Sequence, residues 1–268
     1  MKVQGRDCTL TVAKDDEYYP LPYSEETVRL TSKGFSLPGV IGCRNKDKFI
    51  ETGKILTGCF TTKLMYSNIL FLFLRLFNFN DSFDIFANRI CEKIIYRNAY
   101  LKEFNLTGRN DFGFELTMNV RSEDDFYTEG WQANTPNFKA KDGFDESNDY
   151  KPYIYICDGH NLILDGKKLP LVTQFTIEGK YTEKVNYEIL LCFPVDTEVN
   201  PDNRKFEKLT IPINRRDGIW LDVYDLNPLF GQFHMEDPGA IRGVWKFNVQ
   251  GPIVLNIKNK KEYYEVLI

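Results

Sequence analysis

Histidine is nearly absent from this chain: His160 and His234 are the two in 268 residues. Their distance in sequence excludes a multi-histidine metal site and leaves a Cys–His nucleophile pair without support. None of the six cysteines, Cys8, Cys43, Cys59, Cys91, Cys157 and Cys192, forms a C-x-x-C pair, so zinc and dithiol redox chemistry lack their ligand pattern and the cysteines read as buried thiols. The G-x-S-x-G elbow, the G-x-x-x-x-G-K-[ST] loop, the H-E-x-x-H helix and the G-x-G-x-x-G turn are also missing, which leaves phosphate-cradle and zincin chemistry unsupported. Positive charge is not in excess: 34 Lys and Arg face 38 Asp and Glu, for a net charge of −4. No global basic field therefore argues for tight nucleic-acid binding. The opening MKVQGRDCTLTV lacks the apolar core and small-residue cleavage site of a secretory signal, so a cytoplasmic product is expected.

What is present is apolar and strand-like. Hydrophobic residues make up 43% and aromatic ones 15%, a composition that suits sheets filling a thin core with Phe and Tyr. The exception is Met65 to Phe79, MYSNILFLFLRLFNF, where Ile69, Phe73 and Leu76 recur at helical spacing. A buried helix over about 65–79 is expected; Arg75 interrupts the run well short of the ~20 apolar residues that cross a bilayer.

Along the chain, CTLTVA reads as a first strand, and AKDDEYYPLPYSEE as a proline-marked connection. Residues 31–54 read as a long exposed excursion with a basic cluster at Arg44, Lys46 and Lys48. GKILTGCFTTKL is a strand whose Gly58 marks a bulge or a close backbone approach. Residues 92–107 fit two strands or one bent strand, and GRND is a turn into FGFELTMNV, which places Phe112, Phe114, Leu116, Met118 and Val120 on one face by alternation. Residues 121–151 are charged and carry scattered aromatics, so they read as an ordered connecting arm between residues 1–120 and a second β-rich half, 152–268. Within that half Asp165–Gly166 is a hairpin tip.

Taken in order, these elements resemble the major tail tube proteins of long-tailed bacteriophages. The resemblance rests on PYSEETVRL, on the excursion through PGVIGCRNKDKF, on GKILTGCFTTKL running into one apolar helix, on the short strand at Ser82–Phe83, and on the pair YRNAYLKEFNLTG with FGFELTMNV. LDGKKLPLVTQFTIEG and EYYEVLI extend it loosely into the second half. It implies a mainly β fold, a β-sandwich of tail-tube type with one flanking helix, in two related halves. It further implies a structural virion protein, a subunit that self-assembles into stacked rings forming a channel through which DNA passes without specific binding. The implied partners are further copies, terminator and tape-measure proteins; membrane, cofactor and enzymatic activity are not implied, and assembly falls in the bacterial cytoplasm. On this reading Gly39, Arg44, Lys46, Lys48 and Lys54 form a ring-stacking loop facing acidic loops of the next ring. Ile69, Phe73, Leu76, Phe112, Phe114 and Leu116 supply core.

Two rival functions follow from the residues. One is a monomeric β-sandwich module that binds carbohydrate or protein through Trp131, Trp220, Trp245 and the aromatic arm. The other is a hydrolase whose carboxylates lie among runs such as Asp15–Asp16–Glu17, Glu123–Asp124–Asp125 and Glu236–Asp237.

Overall fold

The computed structural model describes residues 8–15, 17–37, 48–65, 72, 77–89, 92–130, 155–194, 204–214, 218–236, 240–258 and 263–267. The first half contributes β1 (Thr9–Lys14), β2 (Glu17–Leu21), β3 (Tyr23–Glu26), β4 (Arg29–Leu37), β5 (Lys48–Thr57), β6 (Cys59–Lys63), β7 (Ser82–Arg89), β8 (Glu92–Arg109) and β9 (Phe114–Gly130). The second contributes β10 (Ile163–Leu164), β11 (Lys167–Lys168), β12 (Gln174–Tyr181), β13 (Val185–Pro194), β14 (Phe206–Asn214), β15 (Ile219–Glu236), β16 (Ala240–Val249), β17 (Ile253–Lys258) and β18 (Tyr263–Leu267). Every pairing between these strands is antiparallel. Sixteen strands share one sheet; β4 and β5 form a separate two-stranded ribbon.

The large sheet is folded over by bent strands. β8 and β15 are each 18 residues long. β8 turns where Asn98 takes φ 53° and the register slips at Arg97/Ala99 and Leu101/Glu103. β15 turns where Asp225 takes φ 55° and the register slips at Pro228/Phe230. Asn and Asp tolerate the left-handed region better than other side chains, which explains their use at both corners. In the first half β1 joins β2 and β7, β7 joins β8, β8 joins β9, β9 joins β6 and β6 joins β3. Because Pro22 alone separates β2 from β3, this circuit returns to its start and most first-half strand edges are paired. The outer edge of β2 contains Pro20, which has no N–H to offer a stray strand, and β11 ends the other side of the sheet as two exposed lysines.

The halves meet at β8 and β12, paired from Glu103↔Lys180 to Arg109↔Gln174. Phe104 lies opposite Gly179 and Phe175 opposite Gly108, and a Cβ on either glycine would run into the facing ring. Each aromatic thus fills the space its partner leaves empty, and one apolar cluster draws on both halves. Phe77 and Phe79 close over Phe104 with ring centroids 4.4 and 6.0 Å away.

Several expectations change. Residues 66–71 and 73–76, including Ile69, Phe73 and Leu76, lie outside the described residues. Of the remainder of 65–79, Met65 makes a β-bridge, buried Leu72 has π-helical geometry, and Phe77 to Phe79 form a bend and turn, so the expected helix bounds fail at both ends. No α-helix occurs among the described residues. The proline-marked connection is β2 and β3, because an edge strand tolerates Pro20. The arm expected from residue 121 begins as strand: β9 continues to Gly130, its second half pairing with the first half of β8. Residues 131–154 lie outside the described residues. Phe112, expected in the core, is 68% exposed, because the turn after Arg109 runs through Asp111 at φ 63° and takes Phe112 out of the alternation. Phe114, Leu116, Met118 and Val120 are buried.

Candidate assembly interface

The ribbon is the part of the molecule that its own fold leaves uncovered. Residues 31–34 and 51–54 are exposed on both faces. Their cross-links are local: Thr31 and Thr57 hydroxyls 2.7 Å apart, Ser32 Oγ donating to Glu51 Oε1 at 3.1 Å, and Thr52 Oγ1 donating to the Lys33 carbonyl at 3.1 Å. A two-stranded ribbon with neither face buried gains little from its own contacts. Residues 29–57 carry six Lys or Arg against two Asp or Glu, in a chain whose net charge is −4.

The foot of the ribbon is held firmly. Val28 and Leu56 are buried in the core. Arg89 binds the Glu26 carboxylate at 2.7 and 3.0 Å and also donates to the Val28 carbonyl, to which the Tyr96 hydroxyl donates at 3.3 Å. The hydrogen bond that Arg89 donates to Glu26 outweighs burial and holds the guanidinium above its ordinary pKa. Glu26 in turn accepts the Val28 N–H at 2.6 Å. Gly58, between β5 and β6, sits at φ 117° against the Thr27 backbone, where a Cβ would overlap the carbonyl. The close approach expected at this glycine is therefore present, and it is the joint between ribbon and body.

Beside that foot opens a cleft of about 450 Å³. Its walls come from Ile55 to Gly58, Lys102 and Glu103, Asn119 to Ser122, and Tyr181 and Thr182. Ser122 Oγ accepts the Leu56 N–H at 3.0 Å. Arg121 is fully engaged: it lies 4.3 Å over the Tyr181 ring, donates to the Leu101 and Phe79 carbonyls, and pairs with Glu123.

Beside Glu103, which stands opposite Lys180, a polar row crosses the sheet. Residues directly opposite in register share a face, and the pairs Thr61↔Thr117, Thr117↔Asn105, Asn105↔Glu178, Glu178↔Glu188, Glu188↔Asn248 and Asn248↔Asn227 trace one polar line over β6, β9, β8, β12, β13, β16 and β15. Glu178 and Glu188 are like charges placed opposite each other, a destabilising arrangement. Burial, then the charge and hydrogen bond of Glu103, then the charge of Glu188, hold the Glu178 carboxyl above the ordinary carboxylate range, while Lys180 pulls it down. Lys246 pairs with Glu188 at 2.7 Å.

A second polar cluster is closed on itself. Asp222, 3% exposed, accepts from Thr210 Oγ1 at 2.6 Å, Lys208 Nζ at 2.7 Å, and Trp220 Nε1 and Asn256 Nδ2 at 3.1 Å each. With four donors converging on it, this carboxylate is a structural staple between β14, β15 and β17.

Of the expected stacking residues, Gly39, Arg44 and Lys46 lie outside the described residues, Lys48 opens β5, and Lys54 is exposed on it. Trp131 lies outside the described residues. Trp220 is tied to Asp222, and Trp245 is buried against Phe193 at 4.9 Å, so these two do not form a shared sugar platform. Burial pushes the Cys157 thiol up to about 12, with help from Asp158 and Asp111, which keeps it unreactive. Among the described residues no group of His, Cys, Asp and Glu is placed to hold a metal ion, and no helix is long and apolar enough to cross a membrane. The residues that sequence reasoning missed are Glu26, Arg89, Glu103, Glu178 and Glu188. Alternation places the glutamates outward, but nothing in the sequence brings β8 beside β12.

Fold and site together define a class: an antiparallel β protein with a firmly footed cationic ribbon beside a polar cleft. Beyond that class, no protein-family model matches the chain, and no curated protein matches it.

Proposed function

We propose that this protein is a structural subunit of the phage tail tube type, which self-assembles into stacked rings around a channel for DNA. The observation that carries this reading is the ribbon: a two-stranded element, exposed on both faces over residues 31–34 and 51–54 and held at its foot by Glu26, Arg89, Tyr96 and Gly58. A monomer gains nothing from such a projection, whereas a neighbouring copy covers it. The second support is charge. With the cationic excess gathered in the ribbon, the body keeps the acidic excess, and a channel wall built from it offers phosphate few Lys or Arg contacts to grip.

Negative-stain electron microscopy over a concentration series, with light-scattering mass on the same samples, tests the reading. Rings or tubes are expected. A monomer at every concentration would refute it, and glycan and partner screens would then take priority.

A further inference from the structure

The corner of β8 delivers a cation to the cleft. Leu101 faces Val120 and Glu103 faces Asn119, so Lys102 is an extra residue in β8 with no counterpart in β9. Burial follows the bulge: Leu101 and Phe104 are buried, while Lys102 between them is exposed and Glu103 half-buried. A regular strand sends successive side chains to opposite faces. Here two consecutive side chains leave the core together, and both line the cleft. Lys102 makes no ion pair with the described residues. The other charges of the lining are answered, since Glu103 stands opposite Lys180 and Arg121 pairs with Glu123.

From that uncompensated charge we infer that the cleft binds a small hydroxylated anion, a polyol phosphate or a sugar acid, with its anionic group on the Lys102 ammonium. A volume of about 450 Å³ falls within the range of small-molecule sites and exceeds what a bare ion fills. The lining suits the rest of such a ligand. Ser122 Oγ accepts the Leu56 N–H at 3.0 Å, which leaves its own proton to donate. Asn119 adds an amide, Thr57 and Thr182 add hydroxyls, and Glu103 accepts from ligand hydroxyls. Arg121 lies 4.3 Å over the Tyr181 ring, so recognition rests on charge and hydrogen bonds instead of stacking on that face. Ile55 to Gly58 form one wall and strands of the body the other, so a bound anion ties the ribbon's foot to the body.

Titration calorimetry and thermal melting of the full chain test this with three probes: glycerophosphate, gluconate and the neutral polyol sorbitol. Two variants accompany the parent. Lys102→Gln removes the charge from an exposed side chain, and Lys102→Arg keeps it, with the melting curve of each unliganded variant as the check on folding.

The expected result is that at least one of the anions binds the parent with a Kd on the order of 1 mM, and sorbitol about tenfold more weakly. Whichever anion binds identifies the anionic group as phosphate or carboxylate, and it raises the melting temperature by mass action. Lys102→Gln should weaken binding by on the order of tenfold, and Lys102→Arg should retain most of it. Failure of both anions to saturate by about 20 mM overturns the site. Sorbitol binding as tightly as the anions, or a folded Lys102→Gln chain that binds them as the parent does, overturns the assignment to Lys102. None of these outcomes depends on whether the chain forms rings.

Discussion

The ribbon and the large sheet are built from the same kind of strand, yet they solve opposite problems. In the sheet, most strands are paired on both sides, and the ends of its main path carry Pro20 in β2 and Lys167–Lys168 in β11. In the ribbon two strands form a separate pair, with both faces open over residues 31–34 and 51–54. The sheet is held by its apolar interior, so its sequence is constrained by volume. The ribbon is held by its foot, so its shaft is free to carry charge for something outside the fold. Stability and assembly should therefore respond to different residues, and mutations can separate the two.

The largest stability effect falls where the halves interlock. Phe104→Ala should cost about 3–5 kcal/mol in denaturant unfolding, because the ring fills the space over Gly179 and packs on Phe77. A loss below about 1 kcal/mol would show that the junction is not part of one core. Next is Asp222→Ala, expected to cost about 2–3 kcal/mol by removing the buried acceptor that Thr210, Lys208, Trp220 and Asn256 share; Asp222→Asn should recover part of that. Gly58→Ala should cost about 2 kcal/mol, through its positive φ and the Thr27 carbonyl. It alone should impair both properties, since it strains the joint between the two regions.

Smaller is the pH effect at Glu178. Its folded pKa is raised, so the native state binds the proton more tightly than the unfolded chain does. The resulting stabilisation is complete below the ordinary carboxylate range and is lost as pH rises through the raised folded value. Denaturant midpoints should thus climb on acidification across that window, and Glu178→Gln should remove this part of the climb. An unchanged slope in the variant would show that the row is not strained. The smallest effect on stability belongs to the ribbon: replacing residues 32–53 by an Asn-Gly turn should change unfolding free energy by no more than about 0.5 kcal/mol. The same change should abolish lengthwise association, and a truncated chain that still assembles would break the contrast.

Much of the strand inventory was legible in the sequence because it depends on short-range rules. The alternation of Phe114, Leu116, Met118 and Val120 marks a buried strand face, and these residues are buried. Asp165–Gly166 reads as a hairpin tip, and both residues take positive φ, at 46° and 75°. Residues 92–107 belong to one bent strand, and Gly58 marks a close approach. Phe112 escaped the rule because a left-handed Asp111 ended the period two residues early. Pro20 in β2 and Pro22 just after it misled because the meaning of a proline depends on whether a strand lies at an edge, which composition does not record.

What the sequence by itself determined was local: mainly β architecture, the turns and the basic excess of the 31–54 stretch. What only the tertiary structure decided was adjacency. Joining β8 to β12 brings Glu103 beside Glu178 and Glu188, and folding Glu26 onto Arg89 fixes the ribbon's foot. These contacts join residues 63 to 85 positions apart. No local periodicity specifies such a distance; it follows from packing one core across both halves.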